Sequence, residues 1–302
     1  MISSPPEFRL RRPVHEDAEA VHGLVAAVDE RFGVDSGFAL EDLLDSWRRV
    51  DLDRDAWLWE RDGAVAAYAC LYVRGEETTA DGYVHPGFVG RGLGAAIVEA
   101  TEARALERRA AKLGNGVLAA DGAAASLLAS RGYRDVRHYY KMTIDMEEPP
   151  PAPEWPSGLE PRPFEREHAV AFHAADDEAF QDERGYESEP FEEFVQRRLE
   201  SPRFDPELWT AVWNGDEIAA TLIADLRFGA GWIGGLAVQR PWRRRGLGRA
   251  LLLRSFGQFY ERGQQRVALS VDSDNPSGAT RLYERAGMRV EREEVLYEKE
   301  LA

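Results

Sequence analysis

The chain has 302 residues, 44% hydrophobic and 30% charged, a composition that fits a folded protein of one large or two ordinary domains. Its formal charge of -16 argues against nucleic acid as a partner, and a single cysteine, Cys70, excludes an internal disulfide or a cysteine-based metal cluster, so no metal is expected. No apolar run approaches the roughly 18 residues that cross a bilayer, and MISSPPEFRLRRP has no signal core, so a cytoplasmic protein without membrane contact is expected.

In chain order, Arg12-Pro13 precedes a helical stretch, and WLWERDGAVAAYACLYV (57–73) predicts strand, Asp-Gly turn and strand. Cys70 falls in that second strand and is expected to be a packed thiol. A glycine loop follows in YVHPGFVGRGLGAAIVEA and opens a helix, and DGAAASLLASRGY predicts a shorter one. Residues 146–163 then hold seven of the sixteen prolines, which predicts a semi-rigid extended spacer.

Beyond the spacer the plan repeats. Arg162-Pro163 matches Arg12-Pro13, and WTAVWNGDEIAATLIADL (209–226) matches the earlier strand pair with an Asn-Gly turn. LAVQRPWRRRGLGRALLLRSF (236–256) repeats the glycine loop about 154 residues after its first appearance. QRVALSVDS predicts a buried strand, NPSGATRLYERAG a helix started by Asn275 and Pro276 and ended by Gly287, and MRVEREEVLYEKEL a closing strand pair. The expected division is therefore residues 1–147, a linker at 148–158, and residues 159–302.

A helix beginning directly after a strand presents unsatisfied N–H groups and the positive end of its dipole. Gly246 and Gly248 remove side chains there, and Arg243, Arg244 and Arg245 add cationic donors, a combination suited to a pyrophosphate. Such a loop also serves plain packing, and arginine triplets are commonly solvated surface. A dinucleotide fingerprint would need glycine where Leu251 stands, and a nucleotide P-loop would need Gly-Lys-Ser/Thr.

Two motifs taken together are more specific. Val238, Arg243, Gly246 and Gly248 form V-x-x-x-x-R-x-x-G-x-G, and N-P-x-G-A-x-x-L-Y-x-x-x-G runs from Asn275 through Tyr283. This pairing resembles the GNAT superfamily of acyl-CoA-dependent N-acetyltransferases, and the doubled plan resembles its tandem members. The resemblance implies two α/β (α+β) domains, each a mixed, mostly antiparallel central sheet flanked by helices. It implies acetyl-CoA as co-substrate, a small-molecule amine as acceptor, and a monomeric pseudo-dimer or a homodimer. Leu236, Ala237 and Val238 would line the pantetheine arm beside a strand bent at Gly234 and Gly235. Arg243, Arg244, Arg245, Gly246, Leu247, Gly248 and Arg249 would take the pyrophosphate. Asn275 would contact pantetheine, or serve as a plain helix cap. Tyr283 would protonate the departing thiolate, a phenol near pKa 10 being a suitable donor, or would only pack in the core.

Other features of the pattern are incomplete. The strand WIGGLAV lacks the carboxylate that many members use as a base, which leaves Glu183, Asp225 or a water relay, with Asp225 equally readable as a solvated strand residue. In the first half Val89 replaces the leading loop arginine, although Gly90, Arg91, Gly92 and Gly94 remain. Asp121 or Ala120 stands opposite Asn275, and Leu128 or Ala129 opposite Tyr283, so that half is expected to be degenerate. Residues 176–193 hold nine carboxylates and one arginine, either a rim that attracts a cationic acceptor or a solvated helix face. Phe180, Tyr186 and Phe191 in it would wall the acceptor or anchor the helices. Against the enzyme stands a second function, a non-catalytic acyl-CoA-binding sensor or scaffold.

Overall fold

The computed structural model describes residues 4–34, 36–74, 77–182, 186–275 and 278–301. The first half contains β1 (Arg9–Arg11), α1 (Ala18–Arg31), α2 (Leu40–Trp47), α3 (Leu52–Asp55), β2 (Ala56–Arg61), β3 (Ala64–Arg74), β4 (Glu77–Val84), α4 (Leu93–Glu107), β5 (Lys112–Leu118), α5 (Gly122–Ser130) and β6 (Arg134–Asp145). The second contains β7 (Glu160–Pro163), α6 (Ala169–Phe180), α7 (Phe191–Phe194), β8 (Thr210–Asn214), β9 (Glu217–Arg227), β10 (Ala230–Val238), α8 (Leu247–Glu261), β11 (Arg266–Asp272), α9 (Ala279–Arg285) and β12 (Arg289–Glu300). The repeated plan and the mixed α/β class are present, with one difference at the end. MRVEREEVLYEKEL forms a single long strand instead of a pair, because nothing between Arg289 and Glu300 supplies turn chemistry.

The compact units do not follow the linear boundaries. One comprises residues up to Tyr139 together with those from Arg292 onward, and the other comprises Tyr140–Glu291. In the first unit the strands run β1-β2-β3-β4-β5 and the later part of β12 closes the sheet. Glu294–Glu300 pairs antiparallel with Leu118–Lys112, and the Leu301 amide continues the ladder to the Ala111 carbonyl at 2.8 Å. Tyr297 and Leu301 pack on this unit's core, and Lys299 reaches Glu102 of α4 at 2.7 Å. In the second unit the order is β7-β8-β9-β10-β11, closed by the end of β6. There Met142 and Met146 are buried, the Met146 amide donates to Gln265, and Asp145 accepts from Arg266 and Arg289. The proline-rich stretch lies inside this second unit, with Trp155 packed against its core.

In both units the strand before the glycine loop separates from its parallel neighbour. Among the described residues β4 pairs with β5 at Thr79 and Ala80 alone, and β10 with β11 at Gly231 and Trp232 alone. Past these points the two strands diverge, which opens a cleft at their C-terminal ends. On its other edge β10 remains paired with β9 to Val238, with a register shift between Ile233 and Gly235 that is the expected bulge. β4 has no such shift in its ladder with β3. Cys70 is fully buried, and burial pushes its thiol up to about 12, which suits packing and not nucleophilic chemistry.

Because residues 292–301 cover β5, removing them uncovers a strand edge in the first unit only. A chain ending at Glu291 is expected to lose the amide-exchange protection of residues 112–118 while β8–β10 stay protected. Equal protection of both segments would contradict this account.

Candidate active site in the second unit

Beyond its last pair with β11, β10 ends in Leu236, Ala237 and Val238 and leads into the loop before α8. Gly246 caps that helix at φ +89°, a backbone conformation glycine adopts without strain. A Cβ at Gly246 would meet nothing within 4 Å, so this glycine serves the turn. Gly248 has a different task. A Cβ there would lie 2.8 Å from Leu282 and 3.7 Å from Leu236, so its absence lets the first turn of α8 sit against α9 and β10. The side chain of Leu247 is buried beneath, while Arg244, Arg245 and Arg249 are exposed, Arg245 lying over the Trp242 ring at 4.9 Å.

The first amide of α8 bonded within the helix is that of Ala250, donating to Gly246 at 3.0 Å. Among the described residues no main-chain carbonyl accepts from the amides of residues 244–249. Six donors at the positive end of a 15-residue helix, beside exposed arginines, form a cradle for an anionic group. Arg244 occupies a left-handed conformation at φ +62°, where the first unit has Gly90 at φ +82°. An arginine in this region costs conformational energy that glycine avoids.

Arg243 departs from the expected phosphate role. Its Nε donates to the Val238 carbonyl at 2.9 Å, Nη2 to the Ala179 carbonyl at 3.0 Å and Nη1 to Asp182 at 2.6 Å. The guanidinium fastens the loop to the end of α6, and Val238 offers less of its carbonyl to a ligand than expected. Asp182 also takes Arg240, and the two cations hold its carboxyl well below the ordinary range.

Asn275 is not the helix cap. Gly278, at φ +74°, caps α9, and Asn275 lies three residues before it in a turn, its amide donating to Asp272 at 3.1 Å and its carbonyl accepting from Gly278 at 3.2 Å. Tyr283 is buried on α9, the helix whose Leu282 packs over Gly248 in the first turn of α8.

The acidic stretch has local duties. Asp177 accepts from Tyr186 at 2.9 Å and Ser188 at 2.6 Å, Glu189 pairs with Arg197, and Asp182 holds the arginine loop. Phe180 stacks on Tyr186, and Phe191 packs with Phe194 and His173, so these rings anchor the helices. Glu183 lies outside the described residues. Asp225 is neither solvated nor free. It is buried in β9 and held by both Nε and Nη2 of Arg227.

Sequence reasoning missed Asp176. It projects from α6, accepts a 2.7 Å hydrogen bond from Thr221, and is enclosed by protein while retaining some contact with solvent. Thr221 stands opposite Ala237 in the β9–β10 ladder, so this carboxylate lies level with the end of β10. Burial raises its pKa above the ordinary carboxylate value, against the lowering effects of Thr221 and Arg198. Only its place within an acid-rich helix marked it in the sequence.

Comparison with known proteins settles the class. The family model described as "Acetyltransferase (GNAT) family" matches residues 22–133 and 147–288. The chain belongs to the GNAT acetyltransferase family. A mycothiol acetyltransferase of Thermobispora bispora is 35% identical over 72% of this chain and 74% of its own length. Another, from Catenulispora acidiphila, is 28% identical over 96% and 97%. A solved GCN5-related N-acetyltransferase from Sphaerobacter thermophilus superposes with a TM-score of 0.90 at 38% identity, covering 99% of this chain and 97% of that one. A tandem GNAT protein from the clavulanic acid biosynthesis pathway shares the fold, with a TM-score of 0.77 at 18% identity over 98% and 99%. This protein is thus a tandem GNAT acetyltransferase, similar to mycothiol acetyltransferases. Among the described residues no helix is long and apolar enough to cross a membrane.

Arg244→Gly tests what the strained loop position is for. The substitution is expected to raise stability by roughly 0.5–1 kcal/mol in urea unfolding while weakening CoA binding by calorimetry. A variant that binds CoA as tightly as the parent chain would remove Arg244 from the anion cradle.

Proposed function

We propose that this enzyme transfers the acetyl group of acetyl-CoA to the primary amine of a small acceptor by direct attack, using the second unit. The observation that carries this reading is the set of amides at 244–249 that no main-chain carbonyl accepts from among the described residues, where β10 parts from β11, with Tyr283 on the helix α9 that packs against α8. Those amides, with Arg244, Arg245 and Arg249, suit the diphosphate of CoA. The edge of β10 at Leu236–Val238, unpaired with β11 among the described residues, suits the amide-bearing pantetheine arm, and Asn275, three residues past the end of β11, is assigned a contact with it. When bound, acetyl-CoA supplies an activated thioester, so the protein need only orient it and move two protons.

Tyr283 is assigned the first transfer, from its phenol to the departing thiolate. Asp176 is assigned the second, as acceptor of the proton that the amine loses. Its raised pKa makes it a better base than an ordinary carboxylate, and Thr221 fixes the orientation of one oxygen. The bulge at Gly234 turns the backbone after it toward the cleft, where an amide can stabilise the thioester oxygen as negative charge develops. The first unit has no bulge in β4 and no tyrosine in α5, and it is assigned a supporting role.

Replacing Tyr283 with Phe is expected to lower turnover at least about tenfold, measured as CoA thiol release over an amine panel, with CoA affinity unchanged. Turnover equal to wild type would dismiss the phenol as the acid.

Asp176→Asn has two expected signatures. As a base Asp176 must be ionised, so wild-type kcat should fall as the pH drops through its raised pKa, and the variant should be slow without that limb. Because the fold raises this pKa, Asp176 favours the folded state below the ordinary carboxylate value, and that contribution is lost as pH rises through the folded value. The variant should therefore melt no lower than wild type at neutral pH. Full activity with an unchanged pH profile would rule the role out.

A further inference from the structure

The same face of the second unit holds a guanidinium for which no hydrogen bond or ion pair is made among the described residues. After α7 the helix widens into a π-type turn over Val195–Leu199, closed by the Glu200 amide on the Val195 carbonyl at 3.0 Å. Turns of this kind occur often at functional sites, since they place a side chain that a regular helix would not. Here the turn carries Arg198. Its Nε is buried and has no hydrogen-bond partner among the described residues. Its Nη1 lies 3.2 Å from where a Cβ at Gly234 would begin, so the bulge glycine makes room for the guanidinium.

Neighbouring arginines differ from it. Arg197 pairs with Glu189, Arg227 with Asp225, and Arg240 and Arg243 with Asp182. The carboxylates whose fields reach Arg198 are Asp176 and Glu189, which hydrogen-bond to Thr221 and Arg197 instead. Burial brings the guanidinium down to about 10, so it remains charged at neutral pH. An enclosed charge without a partner is unfavourable, and an anion placed beside it would offset the cost.

We propose that Arg198 binds an anionic oxygen group, a carboxylate or a phosphate, carried by the acceptor amine where β10 bulges at Gly234. This rests on the acetyl-transfer reading above and narrows its substrate class. The acceptor bears both an amine and an acid. The edge formed by Nε and Nη2, the one that Arg197, Arg227 and Arg240 turn to their carboxylates, suits two oxygens of one such group. Gly234 and Thr221's partner Ala237 are three residues apart on β10, so Arg198 and Asp176 flank a stretch of about 10 Å that a small molecule can span.

The experiment uses the full chain at saturating acetyl-CoA and matched acceptor pairs: amino acids with their carboxamides, and aminoethyl phosphate with aminoethanol. At least one anionic probe is expected to exceed its neutral partner at least about tenfold in kcat/KM, and the pair that does so identifies carboxylate or phosphate. In Arg198→Met this preference should shrink to within about threefold, with CoA affinity unchanged and a melting temperature no lower than wild type, because no hydrogen bond or ion pair to a described residue is lost. Neutral probes matching their anionic partners, a preference that survives in Arg198→Met, or a variant destabilised along with its loss of activity would each overturn the proposal. So would an absence of turnover with every anionic probe. In that case calorimetry separates the two failures: CoA bound normally means that only this inference fails, and no CoA binding means that the acetyl-transfer reading fails with it.

Discussion

The guanidinium of Arg243 joins the strand end at Val238, the last turn of α6 at Ala179, and the carboxylate of Asp182. This one side chain fixes where the loop leaves β10 and how it faces α6. The left-handed backbone at Arg244 and Gly246 and the free amides that follow are positioned from that anchor. Because the anchor is satisfied by protein, the cationic loop keeps its exposed arginines and its amides for a ligand. A chain with an overall charge of -16 can thus present a local positive site.

The first unit shows what the plan looks like without the anchor. Val89 stands where Arg243 would be, and Arg91 turns to Glu7 at 3.1 Å and to the ring of Phe88. Gly90 takes the left-handed position without strain, and β4 runs unbulged beside β3. Its sheet face instead sets Tyr68 opposite Tyr83 and Cys70 opposite Asp81, where burial pushes the Asp81 carboxyl up to about 6. The two units share their elements and their splayed parallel strands, yet the local devices suited to acyl transfer are concentrated in the second.

Four carboxylates of the acid-rich stretch, Asp176, Asp177, Asp182 and Glu189, are bound to named hydroxyls and guanidiniums, which places an arginine loop, a helix pair and a cleft wall. Against this background Asp176, raised in pKa, and Arg198, whose buried Nε has no hydrogen-bond partner among the described residues, stand out as the groups whose chemistry is not consumed by holding the fold. Both lie on the face that α6 and the π-type turn form over β9 and β10.

Much was legible in the sequence because it rests on local rules. The doubled order of strands and helices, the bend at Gly234, the positive loop running into a helix and the buried Cys70 follow from periodicity, glycine's backbone freedom and runs of apolar residues. The joint spacing from Val238 to Gly248 and from Asn275 to Tyr283 was enough to reach the family. What only the tertiary structure decided involves partners far apart in the chain. Asp182 lies 61 residues from Arg243, Thr221 lies 45 from Asp176, and β12 closes the sheet of the unit at the opposite end of the sequence. The reassignment of Gly248 to packing against Leu282, of Arg243 to an anchor and of Asp225 to an ion pair has the same origin. Sequence periodicity records which face of an element is apolar, but which polar group a side chain meets depends on how the elements pack.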